Sequence, residues 1–215
     1  MAVDSQSDRP VEARPAATVI VLRRGGRHSD RGLEVCLVRR NLEASFMPGV
    51  WVFPGGAVDE TDGEGEAGMR VCAARELAEE AAIEIGPTEL IPYSRWITPE
   101  AVPIRFDTAF YLALAPAHTP PRADGAETVD AGWFAPRVAL ERHAAGDLPL
   151  VFPTIKHLES LIGFANAEQA LEAAAGRSVE PVMPEVVGRG NERRIVMPGD
   201  WDDIPIPESQ AEAGE

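Results

Sequence analysis

Two cysteines in 215 residues, Cys36 and Cys72, are too few for a disulfide framework and fall in no zinc-ligand spacing. Cys72 lies in a helical stretch, where it reads as a small apolar filler. Basic side chains are outnumbered by acidic ones, 20 against 35, for a formal net charge of −15. With no basic surface to displace counterions, nucleic acid is not an expected partner. The same charge makes an anionic substrate awkward unless cations mediate. No apolar run approaches the length that crosses a bilayer, and residues 1–15 contain no apolar segment of the signal-peptide kind. A membrane partner is therefore not expected, and the expected compartment is the cytoplasm. Internal repeats and low-complexity tracts are missing as well. What remains is ordinary globular composition, 45% hydrophobic and 26% charged, in a length that suits one domain with appendages.

Residues 1–15 form a polar, proline-containing tail, expected to be disordered. Residues 16–22 are apolar and β-branched, a strand; residues 33–39 alternate well enough to be its hairpin partner across a basic turn. A loop over 39–49 leads into Val50-Trp51-Val52-Phe53. Further strands are expected over 89–97, 105–115 and 127–134, separated by proline- and glycine-containing loops. Helices are expected over 137–145, over 154–165 with Thr154 as N-cap, and from Asn166, where Gln169 completes a capping-box pattern, to a stop at Gly176. Two proline-flanked runs, 181–187 and 194–197, are compatible with a small hairpin, and 200–215 is acidic and loose. The expected division is thus a domain over 16–165 and a C-terminal helix, hairpin and acidic tail over 166–215.

The chemistry concentrates between residues 52 and 83. A short apolar run ends in Phe53-Pro54-Gly55-Gly56; an acidic, glycine-containing loop follows, then a helix carrying Arg75-Glu76-Leu77-Ala78-Glu79-Glu80. On a helix Glu79 and Glu80 are i+3 and i+4 from Glu76, so three carboxylates share a face. Val71, Ala74, Leu77, Ala78 and Ala81 are expected to form the opposite, apolar stripe and to dock on a sheet. Clustered carboxylates repel unless a cation sits among them, and hard oxygen donors suit Mg²⁺ or Mn²⁺ rather than zinc. An Arg-Glu-x-x-Glu-Glu run by itself is also a common solvated surface, with Arg75 pairing Glu79. The Phe-Pro-Gly-Gly upstream is what tells against that bland reading.

Together these residues resemble the box of the Nudix hydrolases, Gly-x5-Glu-x7-Arg-Glu-Leu-x-Glu-Glu-x-Gly-apolar, which those proteins carry on a strand–loop–helix unit. Arg75, Glu76, Leu77, Glu79, Glu80 and Ile83 fall on the box, and Gly56 falls on its opening glycine. There are two departures. Gly56 stands 19 positions before Arg75 where the family spacing is 14, which leaves Glu64 or Glu66 as candidates for the box's first glutamate. Ala82 replaces the closing glycine; in the left-handed conformation it would cost roughly 1–2 kcal/mol. A narrower likeness follows from Gly49-x-x-x-Phe53-Pro54-Gly55-Gly56, which is similar to the signature of the coenzyme A diphosphatases. Arg40 falls on that signature's first arginine, Asn41 replaces its Ser or Ala, and Ser45 replaces its second arginine. The wording around Phe46, the lengthened box and the run from Arg105 to Phe110 look most like the animal peroxisomal branch.

The resemblance covers about residues 16–165. It implies an α/β (α+β) Nudix fold, a mixed β-sheet sandwiched between helices, with a helical C-terminal extension. It implies that Glu76, Glu79, Glu80 and the backbone oxygen of Gly55 hold two or three Mg²⁺ or Mn²⁺ ions, with Arg75 orienting the glutamates. Glu79, Glu80 or Glu127 would take a proton from water, and Glu127 or Asp130 would supply an extra acidic ligand or base. Arg39, Arg40, Phe53, Arg105 and Asp107 are candidates for substrate contact. For the arginines at 39 and 40 a solvated strand end is the competing reading, and for Arg105 with Asp107 a mutual ion pair. His143 and His157 read as structural. The implied activity is hydrolysis of a diphosphate bond in a nucleoside diphosphate joined to another group, coenzyme A or an acyl derivative first. ADP-ribose, NADH or another sugar nucleotide or dinucleotide is the rival substrate. A non-catalytic ligand sensor is the rival class, which the loss of a box glutamate would have favoured. A homodimer is expected by the same resemblance.

Overall fold

The apolar runs become strands of one mixed sheet in the computed structural model, which describes residues 11–25, 32–189, 193–198 and 204–205. Residues 1–10 of the expected 1–15 tail, most of the basic turn and nearly all of the acidic C-terminal run lie outside the described residues, whereas Arg14 and Pro15 of that tail already belong to a strand paired with Phe106 and Asp107. The strands are β1 (Arg14–Arg24), β2 (Leu33–Arg40), β3 (Trp51–Val52), β4 (Gly55–Ala57), β5 (Ile91–Ile97), β6 (Phe106–Leu114), β7 (Thr128–Phe134) and β8 (Pro181–Val182). Their main path runs β3-β2-β1-β6-β5-β8, with β4 also on β1 and β7 also on β2. β1 is the axis. It runs parallel to β6 from Arg14↔Phe106 to Leu22↔Leu114. On its other edge it holds two antiparallel neighbours in succession, β4 at Thr18↔Gly55 and β2 at Leu22↔Val35. The chain therefore parts along one edge of β1, and the segment joining β2 to β4 emerges there.

Strict alternation in β1 assigns each face of the sheet to a different helical layer. Val19 and Val21 are buried with Cys72, Ala73, Leu77 and Ala81 of α1 (Gly65–Ala81). Ile20 and Leu22 are buried with residues of α2 (Pro136–Ala144), α3 (Phe152–Leu161) and α4 (Ala167–Ala174). Leu22, Leu77, Leu158 and Leu161 have no exposed surface, and each such side chain stabilises the fold by about 1.5–3 kcal/mol. The sandwich of helix, mixed sheet and helices is the architecture expected.

Several details differ from the sequence reading. The expected apolar stripe of α1 is displaced: Val71 and Ala78 are exposed, and the buried face is Gly68, Cys72, Ala73, Leu77, Glu80 and Ala81. The cause is the glycine-rich strand below it, which leaves room for a glutamate where larger residues would demand apolar filler. Thr154 is not an N-cap. Pro153 suits a first helical turn, so α3 starts at Phe152 and Thr154 is buried within it. Ala167, Ala170 and Ala174 of α4 belong to the same core as β1 and β6, so the packed unit continues past residue 165. Asn166 caps that helix by accepting from Gln169 N at 2.8 Å. The later hairpin forms between β9 (Glu185–Val187) and β10 (Arg194–Val196), with β11 (Ile204–Pro205) beside β10, whereas β8 joins the main sheet parallel to β5.

Ala82 terminates α1 at φ 53°, ψ 37°, its N–H donating to Ala78 O at 3.1 Å. This is the left-handed geometry that a Cβ disfavours. Ala82→Gly should raise unfolding stability by about 1 kcal/mol, read from the urea midpoint. His157 supplies a second test. It is buried among Phe110, Trp96, Tyr93 and Phe53, with Nδ1 2.6 Å from Pro153 O and Nε2 2.6 Å from Ser94 Oγ. The carbonyl requires a proton on Nδ1, so Nε2 accepts from the serine. Burial pulls the imidazole pKa down to about 4 from 6.5. Between those values the unfolded chain binds a proton that the folded chain excludes, so stability falls as pH drops through the window, by roughly 3 kcal/mol. Urea titrations at about pH 7.5 and pH 4.5 should show that component in the wild type and its disappearance in His157→Phe; equal pH dependence in the two would refute it.

Candidate active site

Phe53-Pro54-Gly55-Gly56 lays its two glycines between β1 and the Glu76 side chain of α1, Gly55 against β1 backbone and Gly56 against the carboxylate. A Cβ on Gly56 would stand 2.4 Å from Glu76 Oε1, and one on Gly55 would stand 2.4 Å from Thr18 Oγ1. Gly55 N–H donates to Glu80 Oε2 at 2.9 Å. Glu80 is only 4% exposed. Burial, then repulsion by Glu76 and Glu127, raises its pKa to about 7 against the lowering effects of the Gly55 amide and Arg40. Burial likewise raises Glu76 above the ordinary carboxylate range, with Glu79 and Glu127 adding to the rise and Arg75 opposing it. Glu79 is the outward member of the three, its side chain 60% exposed.

Arg75 ties this cluster together. Its Nη1 donates to Glu76 Oε1 at 2.8 Å and to Glu79 Oε2 at 3.0 Å. Its Nε and Nη2 grip both oxygens of Asp62, at 2.9 and 2.8 Å. This fork-on-carboxylate geometry is the strong form of the arginine pair. It holds Asp62 down at about pKa 2, chiefly through the Arg75 hydrogen bonds. Asp62 is itself fixed in a 3-10 turn (Glu60–Asp62), where its Oδ2 accepts from Asp59 N at 2.8 Å while Asp59 caps Thr61 N. The extra loop residues thus fold into a capped turn that delivers a buried carboxylate to Arg75. Neither residue expected to replace the first box glutamate does this: Glu64 is exposed without a side-chain cap bond, and Glu66 pairs outward with Arg70.

The other rim of the site is built by two loops. Asp124 accepts from the amides of Ala126, Glu127 and Thr128, and the Thr128 hydroxyl lies 2.9 Å from both Glu80 O and Asp124 Oδ1. This Asx-type turn seats the loop on the end of α1. It places Glu127, itself exposed, where its charge adds the smallest of the contributions that raise Glu76 and Glu80. Asp130 sits across from Arg39 in the β2–β7 ladder and accepts from Ala131 N. Asn41, standing in for the expected Ser or Ala, joins the two loops: its N–H donates to Glu127 O and its Nδ2 to Ala126 O. Arg39 Nε donates to Gly49 O at 3.3 Å and Arg40 Nε to Phe46 O at 3.2 Å, so both brace the 41–49 loop.

Three residues expected at the substrate are placed elsewhere. Phe53 is 3% exposed and packs edge-on against His157, below the site in the core. Arg105 is buried with its guanidinium on the carbonyls of Thr98 and Val11. Asp107 pairs with Arg95 at 2.6–2.7 Å rather than with Arg105, because those two side chains are diagonal neighbours on one face of the β5–β6 ladder. His143 is held through Nδ1 at Leu148 O and Leu150 N, a structural position. Asp62, Asp124 and Thr128 were not singled out from the sequence, although Asp124-Gly125 is a turn signal that could have drawn attention to the loop.

As a donor set the cluster suits a hard divalent cation. Burial raises the proton affinity of Glu76 and Glu80, and a divalent cation beside them would favour their ionised forms. In the arrangement seen, Arg75 and the Gly55 amide take up these oxygens, and among the described residues no three acidic, histidine or cysteine side chains are gathered closely enough to hold an ion as they stand.

The glycine-backed carboxylates on a strand–loop–helix unit define the class. A NUDIX domain model matches residues 12–152, and the chain belongs to the Nudix family as a pyrophosphohydrolase. It is 26% identical over 204 residues to a Caenorhabditis elegans protein named "Putative nudix hydrolase 7", covering 78% of this chain and 68% of that one. Among solved structures it is similar to a NUDIX hydrolase from Alicyclobacillus acidocaldarius, with TM-score 0.67 and 30% identity over 75% of this chain and 96% of the other. The NUDIX domain of Shewanella oneidensis NrtR, solved with ADP ribose, shares the fold at TM-score 0.54 and 22% identity, covering 71% and 88%.

Asp62→Asn should release one end of the Arg75 clamp and let Glu76 and Glu79 drift. Pyrophosphohydrolase turnover is expected to fall ten- to a hundredfold, roughly the loss that follows when a supporting hydrogen bond is removed from a positioned group. Asp62→Glu should recover part of it, and unchanged turnover in Asp62→Asn would remove the clamp from the account.

Proposed function

We propose that this protein hydrolyses the diphosphate bond of a nucleoside diphosphate joined to a second organic group, with coenzyme A or an acyl derivative as the favoured substrate. The observation that carries the reading is the gathering of Glu76, Glu79 and Glu80 around Arg75 against Gly55-Gly56. Glu76, Glu79 and Glu80, with the Gly55 backbone oxygen, would hold two or three Mg²⁺ or Mn²⁺ ions. When bound, such ions neutralise a diphosphate and lower the pKa of a coordinated water.

The protein's own residues then divide the remaining work. Arg75 keeps Glu76 and Glu79 from swinging apart, and Asp62 keeps Arg75 in register. Glu79 or Glu127, both exposed, would receive the proton of the attacking water. Arg40 stands close enough to Glu80 to lower its pKa, and is the cation best placed to meet a phosphate that approaches from the 41–49 loop. Hydrolysis of coenzyme A by this route would release 3′,5′-ADP and 4′-phosphopantetheine. The Gly49-to-Gly56 wording supports that substrate; ADP-ribose, NADH and dinucleotides are the alternatives.

Turnover of coenzyme A, ADP-ribose, NADH and diadenosine polyphosphates should be compared with Mg²⁺ and with Mn²⁺, beside Glu79→Gln. Preferential cleavage of coenzyme A, reduced about a hundredfold or more in the variant, is the expected result. Preference for another diphosphate would overturn the substrate assignment while leaving the chemistry intact. No metal-dependent turnover of any of them would direct attention to ligand sensing.

A further inference from the structure

On the face of the sheet opposite α1, between β5–β6 and the start of α3, lies a cavity of about 390 Å³. Its walls include Phe46, Trp96, Phe106, Phe152, Ile104 and Ile195, and no Asp, Glu, Lys or Arg lines it. Its polar side chains are few: Thr98, Thr108, His143 and the Trp96 indole. Thr98 Oγ1 accepts from Phe106 N–H, and His143 Nδ1 is held at Leu148 and Leu150. A phosphate needs cations, which this wall lacks, and a buried nucleobase needs its edge donors and acceptors met, for which few side chains are offered. An unbranched hydrocarbon needs only to be removed from water.

Position relates the cavity to the carboxylate site. Phe46 and Met47 line it from the 41–49 loop, and the same loop is fastened through Phe46 O to Arg40, which faces Glu80. Met47 takes a left-handed backbone, φ 51°, a conformation costly for a side-chain-bearing residue and typical of constrained functional loops. Pro184 and Ile195 close another side, and both lie beyond residue 152, where the NUDIX match ends. The C-terminal segment is anchored for that purpose. β8 pairs with β5, Arg193 Nη2 reaches Ala101 O at 3.4 Å, and Arg105, fixed to Thr98 O, lies 3.9 Å from Met183 Sδ.

We infer that Pro184 and Ile195 complete a hydrocarbon-binding cavity, and that the diphosphate substrate carries an alkyl or acyl chain that enters it. The assignment of coenzyme A as the diphosphate carrier rests on the function proposed above; the cavity's preference for hydrocarbon does not. The charged end stays outside, at Arg40 and the carboxylates, while the chain is buried between Phe46 and Ile195.

The test is kcat/KM for free, butanoyl-, octanoyl- and dodecanoyl-coenzyme A in the wild type, Ile104→Glu and Ile195→Asp, with calorimetric binding of dodecanoyl-coenzyme A to the same three proteins. Ile104 is exposed, so its variant should fold even where Ile195→Asp does not. In the wild type kcat/KM should rise with chain length, by up to about fourfold per added methylene until the cavity fills. Either variant should flatten the series, costing dodecanoyl-coenzyme A at least tenfold more than free coenzyme A. A flat or falling wild-type series, or variants that slow all four substrates equally, overturns the inference. If no coenzyme A compound is cleaved while another diphosphate is, the carrier assignment fails alone and binding decides: dodecanoyl-coenzyme A bound by the wild type and at least tenfold more weakly by the variants upholds the cavity, and its failure to bind the wild type, or to distinguish the variants, discards it.

Discussion

Four carboxylates and one guanidinium set the terms for this site. Glu76, Glu79 and Glu80 lie within one helical turn, and such neighbours destabilise a helix by a few tenths of a kcal/mol per pair even in water. Two of them are also drawn out of water against the sheet, where repulsion strengthens. Arg75 offsets this by hydrogen bonding to Glu76 and Glu79, and a lone arginine so placed would be free to rotate. Asp62 removes that freedom by occupying the Nε–Nη2 edge and leaving Nη1 for the glutamates. The capped turn before α1, the glycine pair beneath it and the left-handed residue after it serve to hold one helix at one depth against β4.

How much of this was legible in the sequence depended on the range of the interaction. Glu76, Glu79 and Glu80 stand three and four residues apart, so helical geometry alone brings them together, and the Phe-Pro-Gly-Gly before them announces a close backbone approach. The left-handed Ala82 was legible for the same reason, being fixed by its own helix. Asp62 was not, because it reaches Arg75 across 13 residues of an enlarged loop whose fold no short-range rule supplies. The orientation of α1 was misread because periodicity counted alanines and valine as the inward stripe. Burial instead followed the shape of the strand below, and glycine admitted a glutamate. Arg105 and Asp107 are neither substrate contacts nor the mutual ion pair that sequence suggests, because their partners are fixed by β5 and by the backbone around Thr98, neither adjacent in sequence.

The overall charge bears on the chemistry in the same way. A chain of net charge −15 meeting a polyanionic substrate needs local positive charge, and the cations nearest the carboxylates are few. Arg75 is committed to three carboxylates. Arg39 and Arg40 are used partly to brace a loop. Burial raises the proton affinities of Glu76 and Glu80, and an added divalent charge would satisfy glutamates and diphosphate at once. A site whose fixed cations already balanced its anions would have less to gain from one.

The sheet separates two requirements that conflict if met in one place. Polarising a diphosphate requires anionic oxygens and ions, and binding a hydrocarbon requires the absence of both. Here the ionisable cluster packs with α1 on one face, and the cavity lies with α3 and the C-terminal segment on the other. A single molecule can engage both only where the sheet opens. That opening lies beside β1, whose pairing on one side changes from β4 to β2 while the intervening chain leaves as the 41–49 loop. Arg40 marks the crossing, with Glu80 on one side and Phe46 on the other. Discrimination between substrates then falls to residues far from the glutamates in sequence, which is why a box so well defined says little about what it cleaves.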